Sequence, residues 1–297
     1  MTRADGPVAS PVVDPMDTSA QPTVAQALDQ ARRLGLDRLD AHLLLGHLLQ
    51  RPRAWLIAHD EASLPSTTAA AFADGCARRA AGEPLAYLLG EREFHGLLLQ
   101  VSPNVLIPRP DTETLVDWAL DLLPASGADR PKVLDLGTGS GAIALAVAHR
   151  RSNAEVMATD ISPAALAVAQ ANARRLGLSL TWATGSWWQA VTPQARFDLV
   201  LCNPPYIAGD DPHLPALRHE PLLALTPGGD GLGALRKVIH GAPAHLVAGG
   251  WLLLEHGWDQ QPAVSAELQL AGFCRLTTRH DIEGRPRCTG GQIPGRH

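Results

Sequence analysis

Apolar side chains first recur at spacings of three and four: Val24, Ala27, Leu28 and Ala31, then Leu39, Leu43, Leu44 and Leu48. That period predicts amphipathic helices continuing to about Gly82. Asp37 and Ser66 stand where caps are expected, and Gly35 and Gly82 where helices should stop. Two short apolar runs, 91–94 and 97–101, flank His95-Gly96 and predict a hairpin with a two-residue turn. Pro108 and Pro110 stiffen the chain before Asp111, the expected cap of a helix carrying Leu115, Trp118, Ala119 and Leu122. The rhythm then changes. Apolar runs at 132–136, 155–159, 180–183, 197–202 and 251–255 alternate with helical patterns at 142–150, 164–176, 232–247 and 261–270. Two more strands are expected at 273–278 and 287–291. This alternation predicts an α/β fold with a doubly wound, mostly parallel, seven-stranded sheet. No internal repeat is visible.

Four segments follow: an extension at 1–22, rich in Pro, Ser, Ala and Asp and expected to be disordered; a small all-helical domain at 23–85; a linking β-hairpin at 86–108; and an α/β domain at 109–297. Acids and bases nearly balance in the helical segment, which carries no chemical motif and reads as a packing or docking module. The whole chain, 297 residues with 30 acids against 25 bases, has a net charge of -5, the wrong sign for gripping a phosphate backbone over its whole surface. Direct nucleic-acid binding is therefore not expected. Cys76, Cys202, Cys274 and Cys288 form no C-x-x-C pair, so neither a metal site nor a disulfide framework is expected. The N-terminal residues lack a signal peptide's apolar stretch, and no apolar run approaches the roughly 18 residues of a membrane span, so a cytoplasmic protein is expected.

Asp135-Leu136-Gly137-Thr138-Gly139-Ser140-Gly141-Ala142 joins the first strand of the alternating region to its helix. Glycines there let a ligand approach the backbone, and the helix N-terminus offers N–H groups. Asp160, at the end of the next strand, stands where a ribose-binding acid would, or where it would cap the helix beginning near Pro163. The spacing by itself allows a nicotinamide dehydrogenase as well as a methyltransferase. Asp135 and the third glycine, Gly141, favour S-adenosyl-L-methionine, because an acid would attract the ammonium group of that cofactor, directly or through water, and repel a pyrophosphate.

Asn203-Pro204-Pro205-Tyr206 follows directly on the 197–202 strand and so sits at the same edge of the sheet. Two prolines fix consecutive φ angles and leave stiff backbone that holds Asn203 still. An amide nitrogen is a poor nucleophile because its lone pair is delocalised into the carbonyl. If the Asn203 side-chain oxygen and the Pro204 carbonyl each accept one N–H of a planar amino group, they orient it and stabilise the charge growing on nitrogen. Tyr206 would pack against the flat substrate.

D-x-G-x-G-x-G followed by N-P-P-Y resembles the amino-group methyltransferases. Gly82-Glu83-Pro84-Leu85-Ala86-Tyr87, Gly90-Glu91-Arg92-Glu93-Phe94, Ile107-Pro108-Arg109-Pro110-Asp111-Thr112-Glu113 and Leu252-Leu253-Leu254-Glu255-His256-Gly257 narrow the resemblance to the peptide chain release factor glutamine methyltransferases, the PrmC/HemK family. It runs from about Thr23 to the C-terminus. It implies a class I, Rossmann-like methyltransferase domain and a helical domain that helps dock a class I release factor. The implied reaction is methylation of the glutamine in that factor's Gly-Gly-Gln loop, as a monomer. It also implies cofactor contacts from Asp135, Gly137, Thr138, Gly139, Ser140, Gly141, Asp160, Trp187 and Asn203. Substrate contacts would come from Asn203, Pro204, Pro205 and Tyr206, with Asn203 and Pro204 catalytic. A DNA adenine methyltransferase shares both motifs but would need a basic duplex-binding surface.

Many members of that family carry an acid where this chain has Ser186, before Trp187-Trp188, so altered cofactor contacts rather than lost activity are expected. Trp187 would line the adenine pocket or pack in the core. Strand alternation makes Cys202 a buried apolar residue rather than a nucleophile, and Glu255, His256 and His213 are expected to be structural. Gly290-Gly291-Gln292 repeats the tripeptide the family modifies, but it falls where the last strand is expected.

Overall fold

The computed structural model describes residues 21–123 and 129–295, in two compact units dividing after Ala81. The first holds four helices, α1 (Val24–Arg33), α2 (Arg38–Leu49), α3 (Arg53–Ala58) and α4 (Ser66–Ala80). Thr23 and Gln26 form a reciprocal capping box at the start of α1, and Asp37 caps α2 through the Leu39 N–H at 2.7 Å. Ser66 departs from expectation: it is the first residue of α4, Pro65 occupies the cap, and no side chain caps it. Gly75 lets α4 approach α2, since a Cβ there would lie 2.8 Å from Leu44 Cδ2. The expected extension at 1–22 lies outside the described residues up to position 20. Pro22 is already tied in, its carbonyl accepting the Leu64 N–H.

The second unit opens with α5 (Leu85–Leu89), which starts at the end of the expected helical domain and runs into the segment 86–108 expected to be a linking hairpin, followed by β1 (Glu91–Phe94) and β2 (Leu97–Gln100). His95 and Gly96 both have positive φ, 50° and 80°, as a tight two-residue turn requires. Phe94, Leu97 and Leu99 are buried in the core of the α/β unit. Then come α6 (Glu113–Leu122), β3 (Lys132–Leu136), α7 (Ala142–Arg150), β4 (Glu155–Asp160), α8 (Pro163–Leu176), β5 (Thr181–Thr184), β6 (Phe197–Cys202), α9 (Leu222–Leu225), α10 (Gly233–Gly241), β7 (Leu246–Glu255), α11 (Gln261–Leu270), β8 (Cys274–His280) and β9 (Pro286–Gln292).

Seven strands form one sheet in the order β5-β4-β3-β6-β7-β9-β8, with β9 alone running opposite to the other six. Side chains alternate across it. Val133, Leu199, Leu201 and Leu253 pack with α6 and α7 on one face, while Leu134, Leu136, Val200, Leu252 and Leu254 pack with α10 and α11 on the other. Because both faces are covered, these strands read as largely apolar runs, interrupted by Asp135 in β3 and Asp198 in β6. Successive strands are laid down on either side of β3, so a crevice opens beyond the carboxyl ends of β3 and β6.

Two expectations fail locally. The helix expected over 232–247 ends at Gly241, because Pro243 sits in a 3₁₀ turn and the chain enters β7 at Leu246. Asp111 does not cap α6. It lies in a 3₁₀ turn, Pro110–Thr112, with its carboxylate 3.3 Å from the Arg287 guanidinium. Among the described residues no helix is long and apolar enough to cross a membrane.

Candidate active site

A cavity of about 430 Å³ occupies the crevice beyond β3, β4 and β6. Its floor is the loop between β3 and α7. Gly137, Gly139 and Gly141 all have positive φ, at 76°, 56° and 86°, where a β-carbon would be strained. The N–H groups of Gly137 and Thr138 both bond the Thr159 carbonyl at 2.9 Å, and Gly139 N–H bonds Asp160 Oδ2 at 2.9 Å. These donors hold the loop in shape before any ligand arrives. The space beside the Gly139 Cα is open, whereas a Cβ on Gly141 would lie 2.8 Å from Leu145 Cδ1 and 3.2 Å from Ala169 Cβ. Gly137, Thr138, Gly139 and Ser140 line the cavity; Gly141 stands behind it, allowing α7 and α8 to pack closely.

Asp135 also stands behind the loop instead of in the cavity wall. It is fully buried; its Oδ2 accepts the Thr138 hydroxyl at 2.7 Å and the Ala144 N–H at 3.2 Å, while Oδ1 has no hydrogen-bond partner. Burial pushes its carboxyl up to about 7, opposed by those two hydrogen bonds. Asp160 faces the cavity. Its oxygens take the N–H groups of Gly139 and Ser162, both at 2.9 Å, and burial raises its pKa against those bonds. The cap of α8 is Ser162, through the Ala165 N–H, so Asp160 braces the loop and keeps lone pairs for a ligand.

The two tryptophans after β5 part company. Trp187 lines the cavity with an unusual φ of 49°, its ring so placed that a Cβ on Gly137 would lie 3.5 Å from Cζ3. Trp188 faces the core, donating to the carbonyls of Lys237 and Val238 and stacking on His245 at 4.9 Å. Ser186 and Lys237 share the wall with Trp187.

Asn203 and Pro205 line the cavity too, at the end of β6 and beside the strand that leads into the glycine loop. Asn203 Nδ2 donates to Thr112 Oγ1 at 3.2 Å. Pro204 is buried and absent from the wall. Tyr206 is turned away too: its hydroxyl donates to Glu255 Oε1 at 3.1 Å, and its carbonyl accepts Gln260 Nε2 at 2.9 Å. Gly231, at φ 75°, packs against that same carbonyl, leaving no room for a Cβ. Cys202 is wholly buried and burial pushes its thiol up, so it offers no nucleophile. His256 bonds Thr289 Oγ1 at 2.7 Å within the sheet, and exposed His213 pairs with Asp211.

Glu255 is enclosed at the end of β7, and burial pushes its carboxyl up to about 7 against the lowering effects of the Thr112 hydroxyl, Arg287 and the Tyr206 hydroxyl. A folded pKa above the ordinary 4.5 means that stability is lost as pH rises from that value toward 7, where the unfolded chain has already shed a proton that the folded chain keeps. The gain in Tm on Glu255→Gln should therefore grow between about pH 5 and pH 8. A gain that stays constant across that range would contradict the burial argument.

Other wall residues had no role in the sequence reading. Arg109 pairs with buried Glu220, which also accepts the Ile107 N–H at 3.1 Å. This ties the segment before α6 to the segment before α9. Arg109 and Thr112 lay inside a string that carried the family resemblance, which was the available signal; Glu220 had none.

The pattern described as "PrmC N-terminal domain" matches residues 21–90, and that described as "Methyltransferase small domain" matches 115–231. The release factor glutamine methyltransferase of Bordetella pertussis is 51% identical over 261 residues, covering 87% of this chain and 96% of that one. Its counterpart in Burkholderia pseudomallei is 46% identical over 285 residues, covering 93% and 99%. Among solved structures, the catalytic domain of hMettl16 in complex with the MAT2A 3'UTR hairpin 6 superposes with a TM-score of 0.54 at 20% identity, over 75% of this chain and 83% of that chain. That likeness concerns the fold, a class I methyltransferase sheet. With this identity sustained over nearly the full length of its relatives, the chain belongs to the release factor glutamine methyltransferase family.

Proposed function

We propose that the protein transfers a methyl group from S-adenosyl-L-methionine to the side-chain amide nitrogen of the glutamine in the Gly-Gly-Gln loop of class I peptide chain release factors, acting as a cytoplasmic monomer. The observation that carries this reading is the meeting of Asn203 with the glycine loop and Asp160 around one cavity. The residues fit the cofactor: Gly139 leaves space for close approach, Asp160 offers acceptor oxygens suited to ribose hydroxyls, and Trp187 offers an aromatic wall suited to adenine. When bound, the cofactor supplies an electrophilic methyl group. The work of the chain is to orient the glutamine amide, accept its N–H groups and keep water from the reacting atoms. Asp135 and Gly141 support the loop from behind, and Tyr206 anchors the Asn-Pro-Pro segment. The helical unit ahead of Ala81 is read as a docking module for the release factor.

Labelled S-adenosylmethionine with a release factor, and in parallel with duplex DNA, tests the reading: label is expected on the protein glutamine. Label appearing on DNA adenine alone would replace it with the alternative. Asp160→Ala should weaken cofactor binding by about 1.5 to 3 kcal/mol, the loss of hydrogen bonds to a charged acceptor, as read by calorimetry. Unchanged affinity would remove Asp160 from the cofactor site.

A further inference from the structure

Pairing along β6 ends at Cys202, which sits between Leu136 of β3 and Leu254 of β7. The next four residues leave the sheet, and Pro204 and Pro205 have no N–H with which to join a neighbouring strand. Proline fixes φ but leaves ψ free. A stiff segment tied only where it leaves the sheet could swing, taking Asn203 and Pro205 with it in the cavity wall. Its far end needs a second tie.

Tyr206 receives it. The Tyr206 hydroxyl donates to Glu255 Oε1 at 3.1 Å, but that bond sits at the tip of a side chain. Gln260 holds the backbone itself: its Nε2 donates to the Tyr206 carbonyl at 2.9 Å while its Oε1 accepts the Gly257 N–H at 2.9 Å. An amide donates from one end and accepts at the other, so these two partners together allow one orientation. Gln260 is itself fixed. It caps α11, whose Val264 and Leu268 are buried; its N–H bonds the Gly257 carbonyl at 2.9 Å and its carbonyl accepts the Val264 N–H at 3.0 Å. Gly231 clears the path, since a Cβ there would collide with the Tyr206 carbonyl oxygen and lie 3.0 Å from Gln260 Nε2. Gln260 is absent from the cavity wall.

We propose that Gln260 is a positioning residue for methyl transfer: by locking the Tyr206 carbonyl it fixes the far end of the Asn-Pro-Pro segment, and with it the aim of the Asn203 and Pro204 acceptors, without touching substrate or cofactor. The proposal rests on the reading that this segment holds the nitrogen to be methylated. Misplacing an orienting group by about 1 Å costs on the order of a hundredfold in rate, so the loss belongs in kcat.

The test compares the full-length wild type with Gln260→Glu and Gln260→Leu on an intact release factor, reading kcat and KM separately, cofactor affinity by calorimetry, and Tm. Glutamate has nearly the same shape and keeps an oxygen for the Gly257 N–H, but when ionised it has no donor for the Tyr206 carbonyl. At about pH 8 both variants should lose about 10- to 100-fold in kcat, with KM and cofactor affinity within about threefold of wild type. A protonated glutamate donates again. The titratable neighbours of that position are Asp259 on the same loop, His256, which bonds the Gly257 carbonyl, Glu255, which bonds the Tyr206 hydroxyl, and Asp230 beside Gly231, which pairs with Arg236. The acids and the facing carbonyl favour the protonated form, so the kcat of Gln260→Glu relative to wild type should recover to within about threefold as pH falls to about 5. The ratio for Gln260→Leu should stay low throughout. Wild-type kcat in Gln260→Glu would overturn the proposal. So would a ratio that does not change with pH, or losses of Tm and cofactor affinity that parallel the loss of kcat. A wild-type enzyme that labels DNA adenine and not the release factor would refute the substrate reading alone, and the same variants measured on that DNA would still decide the positioning role.

Discussion

Asn203→Ala is expected to lower methyl transfer by a hundredfold or more while leaving cofactor binding within about tenfold of wild type. The asymmetry follows from position. Asn203 lines the cavity at the end of β6, the strand next to the one that leads into the glycine loop, and its amide is held by Thr112, so what alanine removes is an acceptor for the substrate nitrogen, whose positive charge develops as the methyl group arrives. A preorganised donor or acceptor aimed at developing charge is worth far more in the transition state than in the ground state, which places the loss in kcat rather than in KM. The segment around it keeps its shape through other contacts: Tyr206 is bonded at its hydroxyl to Glu255 and at its carbonyl to Gln260. Single-turnover measurements with saturating cofactor and release factor provide the check. A near-normal rate would remove Asn203 from the catalytic role.

Gly290→Ala should be among the most destabilising single substitutions in the α/β unit. A Cβ at Gly290 would lie 2.5 Å from Leu253 Cδ2, 2.7 Å from the Leu252 carbonyl oxygen and 2.9 Å from Trp118 Cη2. Side chains relax by rotating, but the Leu252 carbonyl belongs to the β7 backbone paired with β9 and cannot move without opening the ladder. Overpacking of this kind costs about 3 kcal/mol, or roughly 6 to 12 °C in Tm for a unit of this size. A thermal scan showing a Tm within a degree or so of wild type would contradict the packing argument. The same geometry accounts for Gly290-Gly291-Gln292. These residues pair with Leu253, Leu252 and Trp251, and the Gln292 amide donates to the Gly249 carbonyl at 2.8 Å. The glycines are there because two strands and a tryptophan leave no room for side chains, and the glutamine is bonded within the sheet.

How much of this molecule could be read in advance depended on whether the information was local. β3 and β6 were legible to the residue, because a strand covered on both faces is mostly apolar at consecutive positions, with Asp135 and Asp198 the exceptions here, and that signal lies within a few residues of chain. The two motifs were legible for the same reason: glycines that permit positive φ, and prolines that stiffen the segment after a strand, act on the backbone where they stand. The end of the 232–247 segment was not: its apolar residues continue a helical pattern, but Ala242–Ala244 form a 3₁₀ turn around Pro243 and only Leu246 and Val247 enter β7, where Leu246 pairs with Phe197 of β6. Ser66 and Asp111 were eligible caps by type, yet neither side chain bonds the helix it was expected to start.

At the site the division is sharper. Sequence placed Asn203, Asp160 and the glycine loop at one edge of a sheet, and they do line one cavity. It did not separate residues that face the cavity from those that stand behind it: Asp135, Gly141 and Tyr206 belong to the same motifs, but they serve the loop and the strand ends instead of the wall. Nor could it show that Thr112 meets Asn203 across 91 residues, or that Arg109 meets Glu220 across 111. A hydrogen bond between distant segments leaves no periodic trace in either one. Its partners are chosen only when the strand order brings the ends of β3, β6 and β7 side by side, and burial then makes each unpaired polar atom costly enough that the surviving pairings are specific.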